Sequence, residues 1–179
     1  MLNTSYKSYD DLPYSVIKVH FKKGEVITDY NDIEPVVYFI NEGIVELDIK
    51  SYMTEKVIDF FFENEMVAAL TSFLTQTPSD VQVIALTDCE LEMISFEALK
   101  NAYNKSFEAN KLGRIVIEQA YIRKAKREKD FLSKTAEERY EDMFSTHAKY
   151  LSNIPVNKIA KYLGIHPESL SRIRKKLNS

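Results

Sequence analysis

The chain has 179 residues, 45% of them hydrophobic and 28% charged, with a formal net charge of -3. It can bury a core as one domain or two small ones, and it carries neither a run long enough to span a bilayer nor a signal-peptide pattern. The single cysteine, Cys89, excludes an internal disulfide or a cysteine-built cluster within one chain, and the expected compartment is the cytoplasm. The charge is unevenly divided: residues 1–110 carry 8 Lys/Arg against 19 Asp/Glu, residues 111–179 carry 16 against 8. Phosphate would be repelled by the front of the chain and attracted by the rear.

In chain order, the front half reads as β-structure. Val16–Phe21 is a β-rich run followed by the turn Lys22-Lys23-Gly24-Glu25. Val36–Ile40 precedes the turn Asn41-Glu42-Gly43. Ile44–Ile49 alternates apolar and polar, as a half-buried strand does. Val57–Phe62, Val81–Leu86 and Glu90–Ile94 complete a set of short strands with turn residues between them, the spacing of a sandwich or barrel. Ala68–Thr75 interrupts them as a short helix and loop. Carboxylates are scattered along the alternating strands, the pattern of a solvated face.

From about Phe96 the period becomes helical. Leu112, Ile115, Val116, Gln119, Ile122 and Lys126 fall on one face of a long helix, whose basic end Arg123–Arg127 suits the negative pole of the helix dipole. Thr135-Ala136-Glu137-Glu138 is a capping box, so another helix starts there and runs through Tyr140 and Phe144. Pro155 separates it from the last unit. In that unit Ile159 and Leu163 share a helix face, and Ala160 beside them lets a second helix cross closely. Gly164 ends the first helix in a left-handed conformation, Ile165 plugs the turn and Pro167 opens the second helix. Leu170, Ile173 and Leu177 form that helix's inner face, leaving Glu168, Ser169, Ser171, Arg172, Lys175 and Lys176 outside. His166, at the N-cap, is a weak capping residue. This is the pattern of a helix-turn-helix, which places its second helix in the major groove of DNA.

A β-domain, a long helix and a C-terminal helix-turn-helix in this order resemble the Crp/Fnr family of bacterial transcription factors. The resemblance runs over about residues 16–177. It is carried by Lys23-Gly24-Glu25, Tyr38–Gly43, Phe73–Pro78, Thr135–Tyr140 and Gly164–Leu177. It implies an α+β fold: a cyclic-nucleotide-binding-like β-roll (jelly roll) at 1–106, a long linking and dimerisation helix at 107–132 and a helix-turn-helix at 133–179. It implies a cytoplasmic homodimer that contacts itself through Leu112, Ile115, Val116, Gln119 and Ile122 and reads an inverted repeat in double-stranded DNA, and it admits RNA polymerase as a partner. Family members read base edges with a Glu near the start of the second helix and an Arg four residues later, here Glu168 and Arg172. A carboxylate can accept from cytosine N4 and Arg can grip guanine. Pro167 stands where some members have a further Arg. Asn157, Lys158, Ser169, Ser171, Arg174, Lys175 and Lys176 are then expected at phosphates. The chain ends after the reader helix, without the family's C-terminal wing.

The resemblance breaks at the effector pocket. Members that bind cyclic AMP carry Gly-Glu, followed by an Arg and a small residue. Here Gly-Glu is replaced by Ala68-Ala69, followed by Leu70, and the Arg by Ser79, followed by Asp80. No Lys or Arg lies between Lys56 and Lys100. A cyclic phosphate would be unpaired beside an acidic group, so neither cyclic AMP nor cyclic GMP is the expected effector. No other cofactor is expected. Cys89 reads as a small buried side chain, and neither His20 nor His147 has a ligand-spaced partner. Without a phosphate loop, a metal cluster or a nucleophile–base pair, the chain is not expected to be an enzyme. The activity expected is transcriptional regulation. The alternatives are a small-molecule sensor whose helical end docks a protein, and a DNA binder that needs no effector.

Overall fold

The computed structural model describes residues 15–51 and 54–177; the first 14 residues of the expected sensor segment, residues 52–53 and residues 178–179 lie outside the described part. Among the described residues eight strands form two four-stranded antiparallel sheets. One has the order β1 (Ile17–Phe21), β8 (Cys89–Ser95), β3 (Val36–Glu42), β6 (Met66–Val67); the other has β2 (Val26–Thr28), β7 (Val81–Ala85), β4 (Val45–Lys50), β5 (Glu55–Phe61). Both are mixed in chain order, the crossing pattern of a β-roll. Between the sheets Ile40, Val45, Val83, Ala85 and Leu91 are completely buried. Gly43 turns β3 into β4 at φ +107°, and a Cβ there would strike Cys89 and the Asp88 carbonyl. Cys89 itself is buried, its thiol directed at the Ile44 carbonyl.

Among the described residues six helices follow or interrupt the strands: α1 (Leu70–Thr75), α2 (Phe96–Lys105), α3 (Phe107–Ser133), α4 (Ala136–Leu151), α5 (Val156–Leu163) and α6 (Pro167–Leu177). Ser106 ends α2 and caps α3 by accepting from the Ala109 N–H, so the helical run beginning at Phe96 is two helices. Gly113 in α3 leaves room for the ring of Tyr103 on α2. The close approach it permits lies within the chain. The Thr135–Glu138 capping box forms reciprocally at the start of α4.

One strand explains how the two halves join. The run Phe60-Phe61-Phe62 is apolar on both sides because the β2-β7-β4-β5 sheet is covered on both. Phe61 packs between the sheets, whereas Phe60 and Phe62 join a second core with Tyr140, Met143, Leu151, Ile154, Ile159, Leu163 and Leu170. A register shift opposite Leu47 and Asp48 leaves Ile58 unpaired, so Val57 and Phe60, three residues apart, both face the helices. Glu46 pairs with Phe60 and Asp48 with Val57, which turns both carboxylates toward the helical end.

The expectation of a solvated acidic face fails here. Glu34, Glu46, Asp48 and Glu92 are 0–3% exposed. Alternation sends Glu46 and Asp48 out of the inter-sheet core, where Lys158 of α5 covers them, and Glu34 lies in the loop before β3.

Candidate nucleic-acid interface and effector cassette

Residues 155–177 build a rigid two-helix unit. The N–H groups of Gly164 and Ile165 return to the Lys161 and Ala160 carbonyls, with Gly164 at φ +71°, the Schellman ending of α5. In place of a side-chain cap, the His166 carbonyl accepts from Ser169 and Leu170 at the start of α6. Leu170 is completely buried against Ile159, Ala160 and Leu163, with Ile173 and Ile165 packed around it. Leu177, assigned by its spacing to the inner face, is 42% exposed and projects beyond this core.

With the inner face held, the outer face is fixed. Glu168, Ser171, Arg172 and Lys175 are exposed, and the Glu168 and Arg172 side chains rise from the same side of α6, one turn apart. The other expected phosphate contacts divide. Asn157 is exposed and Ser169 half-buried. The Arg174 Nε donates to the Tyr140 hydroxyl at 3.1 Å, and Lys176 pairs with Glu137 at 2.7 Å, so both reach back to α4. Lys158 turns the opposite way, into the β-roll, where its Nζ lies 2.5 Å from Glu46 and 3.1 Å from Asp48. Burial raises both carboxyls above their ordinary range, and the two acids raise the Lys158 ammonium in turn.

At the other end of the β-roll, Ala68, Ala69 and Ser79 are buried, Leu70 half-buried and Asp80 exposed. The Ser79 hydroxyl donates to the Val81 carbonyl, while its backbone pairs with Asn31 and Asp32. Beside the start of α1 sits a carboxylate from the chain itself. Glu34, fully buried, accepts from the Thr28 hydroxyl at 2.5 Å, from the Ala69 N–H at 3.3 Å and from the Val36 N–H at 3.4 Å. Desolvation pushes its pKa up, with those hydrogen bonds opposing. The segment Asp29–Pro35 thus covers the cassette with an internal anion.

Comparison with known proteins places this geometry. The cyclic nucleotide-binding domain family matches residues 18–106. FixK2 of Bradyrhizobium japonicum aligns at TM-score 0.79 and 17% identity, over 92% of this chain and 85% of that one. The c-di-GMP-responsive global regulator CLP of Xanthomonas campestris aligns at 0.71 and 18%, over 91% and 86%. A crp/fnr-family chain from Eubacterium rectale aligns at 0.71 and 20%, over 91% and 78%. Residues 18–106 thus match a cyclic nucleotide-binding domain, and the chain shares the fold of these neighbours. No curated protein sequence matches it.

Glu34, Glu46 and Asp48 were missed by sequence reasoning. Each is one acid among many in an acidic segment, and the partners that bury them lie 35 to 112 residues away.

Proposed function

We propose that this chain is a Crp/Fnr-family transcriptional regulator that binds double-stranded DNA as a homodimer and does not respond to cyclic AMP. The observation carrying the DNA reading is the outer side of α6. Leu170 anchors the helix in the core while Glu168 and Arg172 stand exposed on a basic surface, free of internal partners among the described residues. Arg172 supplies a bidentate donor to guanine and Glu168 an acceptor for cytosine N4. Asn157, Ser171 and Lys175 are the exposed candidates for phosphates.

The dimer reading rests on α3. Of its expected contact residues Gln119 and Ile122 are exposed, and Leu112, Ile115 and Val116 are half-buried. Ile117 and Tyr121, which the sequence reading did not name, are 41% and 71% exposed and widen the apolar surface open to a second copy. Two copies related by a two-fold axis would present two α6 helices to an inverted repeat. RNA polymerase is a further partner consistent with this reading.

The cassette supports independence from cyclic nucleotides. Its Ala69 N–H is already taken by the Glu34 carboxylate, and an added phosphate would meet a buried acid, with no Lys or Arg between Lys56 and Lys100 to pair it. The test is selection of fragmented genomic DNA by the purified chain, with and without cyclic AMP. Enrichment of one inverted repeat in both conditions supports the proposal. Enrichment only with cyclic AMP contradicts the effector part, and none above background in either contradicts the DNA part.

A further inference from the structure

A cavity of about 290 Å³ lies where β5, the end of α3, α4 and α5 meet. Arg127 of α3 and Arg139 of α4 line it together, with Lys126, Phe131, His147 and Tyr162. Asp59, Asp130 and Asp142 line it as well, but each is paired with another cation. Asp59 and Glu65 hold Arg123, and Asp130 and Asp142 hold Lys134. Among the described residues neither Arg127 nor Arg139 forms a salt bridge, and the Nε atom of each is buried without a hydrogen-bond partner. What they have are carbonyls and rings: Arg139 donates to the Leu163 carbonyl at 2.9 Å and lies 4.5 Å over Phe131, while Arg127 lies 4.8 Å over Tyr162. Burial and the neighbouring Arg127 both lower the Arg139 pKa. Two guanidinium groups gathered into one partly dry space, neither with a carboxylate of its own, are costly unless a further anion joins them.

We infer that this cavity is a binding site for a small phosphomonoester, held by Arg127 and Arg139. Two guanidinium forks match the charge and geometry of a phosphate dianion. The volume is at the small end of ligand pockets, which are about 300–1,000 Å³, so the site holds more than the phosphate group. His147, stacked on Phe62 at 4.3 Å, offers an apolar side for the rest of the molecule. The site is separate from the cassette, which is closed by Glu34. It also touches strand β5 and helices α4 and α5 at once, so its occupant would tie the β-roll to the DNA-facing end. This inference does not depend on DNA binding.

Titration calorimetry on the full chain tests it with inorganic phosphate and adenosine 5′-monophosphate as probes and adenosine as the uncharged control. The expected result is saturable binding of phosphate, tighter binding of the monophosphate and none of adenosine. Arg127→Gln and Arg139→Gln should each weaken binding about tenfold or more, and Lys105→Ala, exposed at the end of α2, should not. Arg127→Lys, which keeps the charge and loses the fork, should fall between, and it separates loss of the site from loss of the fold. No saturation by phosphate up to tens of millimolar would overturn the inference. So would binding that survives both glutamine variants, or adenosine binding as well as its monophosphate.

Discussion

The cassette and the outer side of α6 handle charge in opposite ways. At the cassette the chain supplies its own anion. Glu34 is fully buried, takes the Ala69 N–H and leaves nothing there for a ligand phosphate. On α6 the chain supplies charge and keeps it unpaired, since Glu168 and Arg172 are exposed without internal partners among the described residues. The difference separates a region whose polar groups are satisfied by folding from one whose polar groups wait for something else. Lys158 shows that the distinction is not drawn by residue type. It belongs to the basic half and to the α5–α6 unit, yet it is consumed by Glu46 and Asp48 of the β-roll.

The largest effect is expected where an internal charge loses its partner. Lys158→Ala leaves Glu46 and Asp48 buried and unpaired, and should cost about 3–5 kcal/mol in urea unfolding. A loss near zero would mean that α5 is not seated on β4 as described. Adding Glu46→Gln and Asp48→Asn to that variant should recover much of the stability.

At the cassette, Glu34→Ala strands the Thr28 hydroxyl and the Ala69 and Val36 N–H groups, and should cost about 1–3 kcal/mol. On α6, Arg172→Ala should cost a similar 1–3 kcal/mol, but in DNA affinity and at one position per half-site, with unfolding unchanged. Equal losses on all sequences would make Arg172 a phosphate contact. These two substitutions test the comparison directly, because one must move stability and the other recognition.

The smallest effect is a pH dependence. Burial raises the folded-state pKa of Glu34, so its contribution to stability is complete below the ordinary carboxylate range and declines as pH rises through the folded value. Glu34→Gln imitates the protonated form. Its stability relative to the parent chain should therefore increase from pH 5 to pH 8, as followed by thermal melting. A constant difference would show that the Glu34 carboxyl is not perturbed.

What was legible in the sequence was local. Gly164, Pro167 and Leu170 gave the α5–α6 unit because capping and a three-to-four spacing are fixed within a few residues. Val81–Ala85 and Cys89–Ser95 were legible from apolar runs between turns. Strands β2 and β6, at three and two residues, were too short to show a period. The Phe60-Phe61-Phe62 run announced a strand but not that its sheet is covered on both sides. The departures at Ala68, Ala69 and Ser79 announced a cassette without its cation. They could not announce that Glu34 would fill it, because that contact depends on how β3 and α1 are brought together. The same holds for Arg127 and Arg139, one on α3 and one on α4, which share a cavity only once the helices are packed.

The most direct test of the central claim is selection of fragmented genomic DNA by the parent chain and by the Glu168→Ala and Arg172→Ala variants, read by sequencing at two salt concentrations. The account predicts one inverted repeat for the parent chain and a relaxed preference at a defined position of each half-site for each variant. The same repeat and the same preferences from all three proteins would contradict it, because the reading would then lie outside α6.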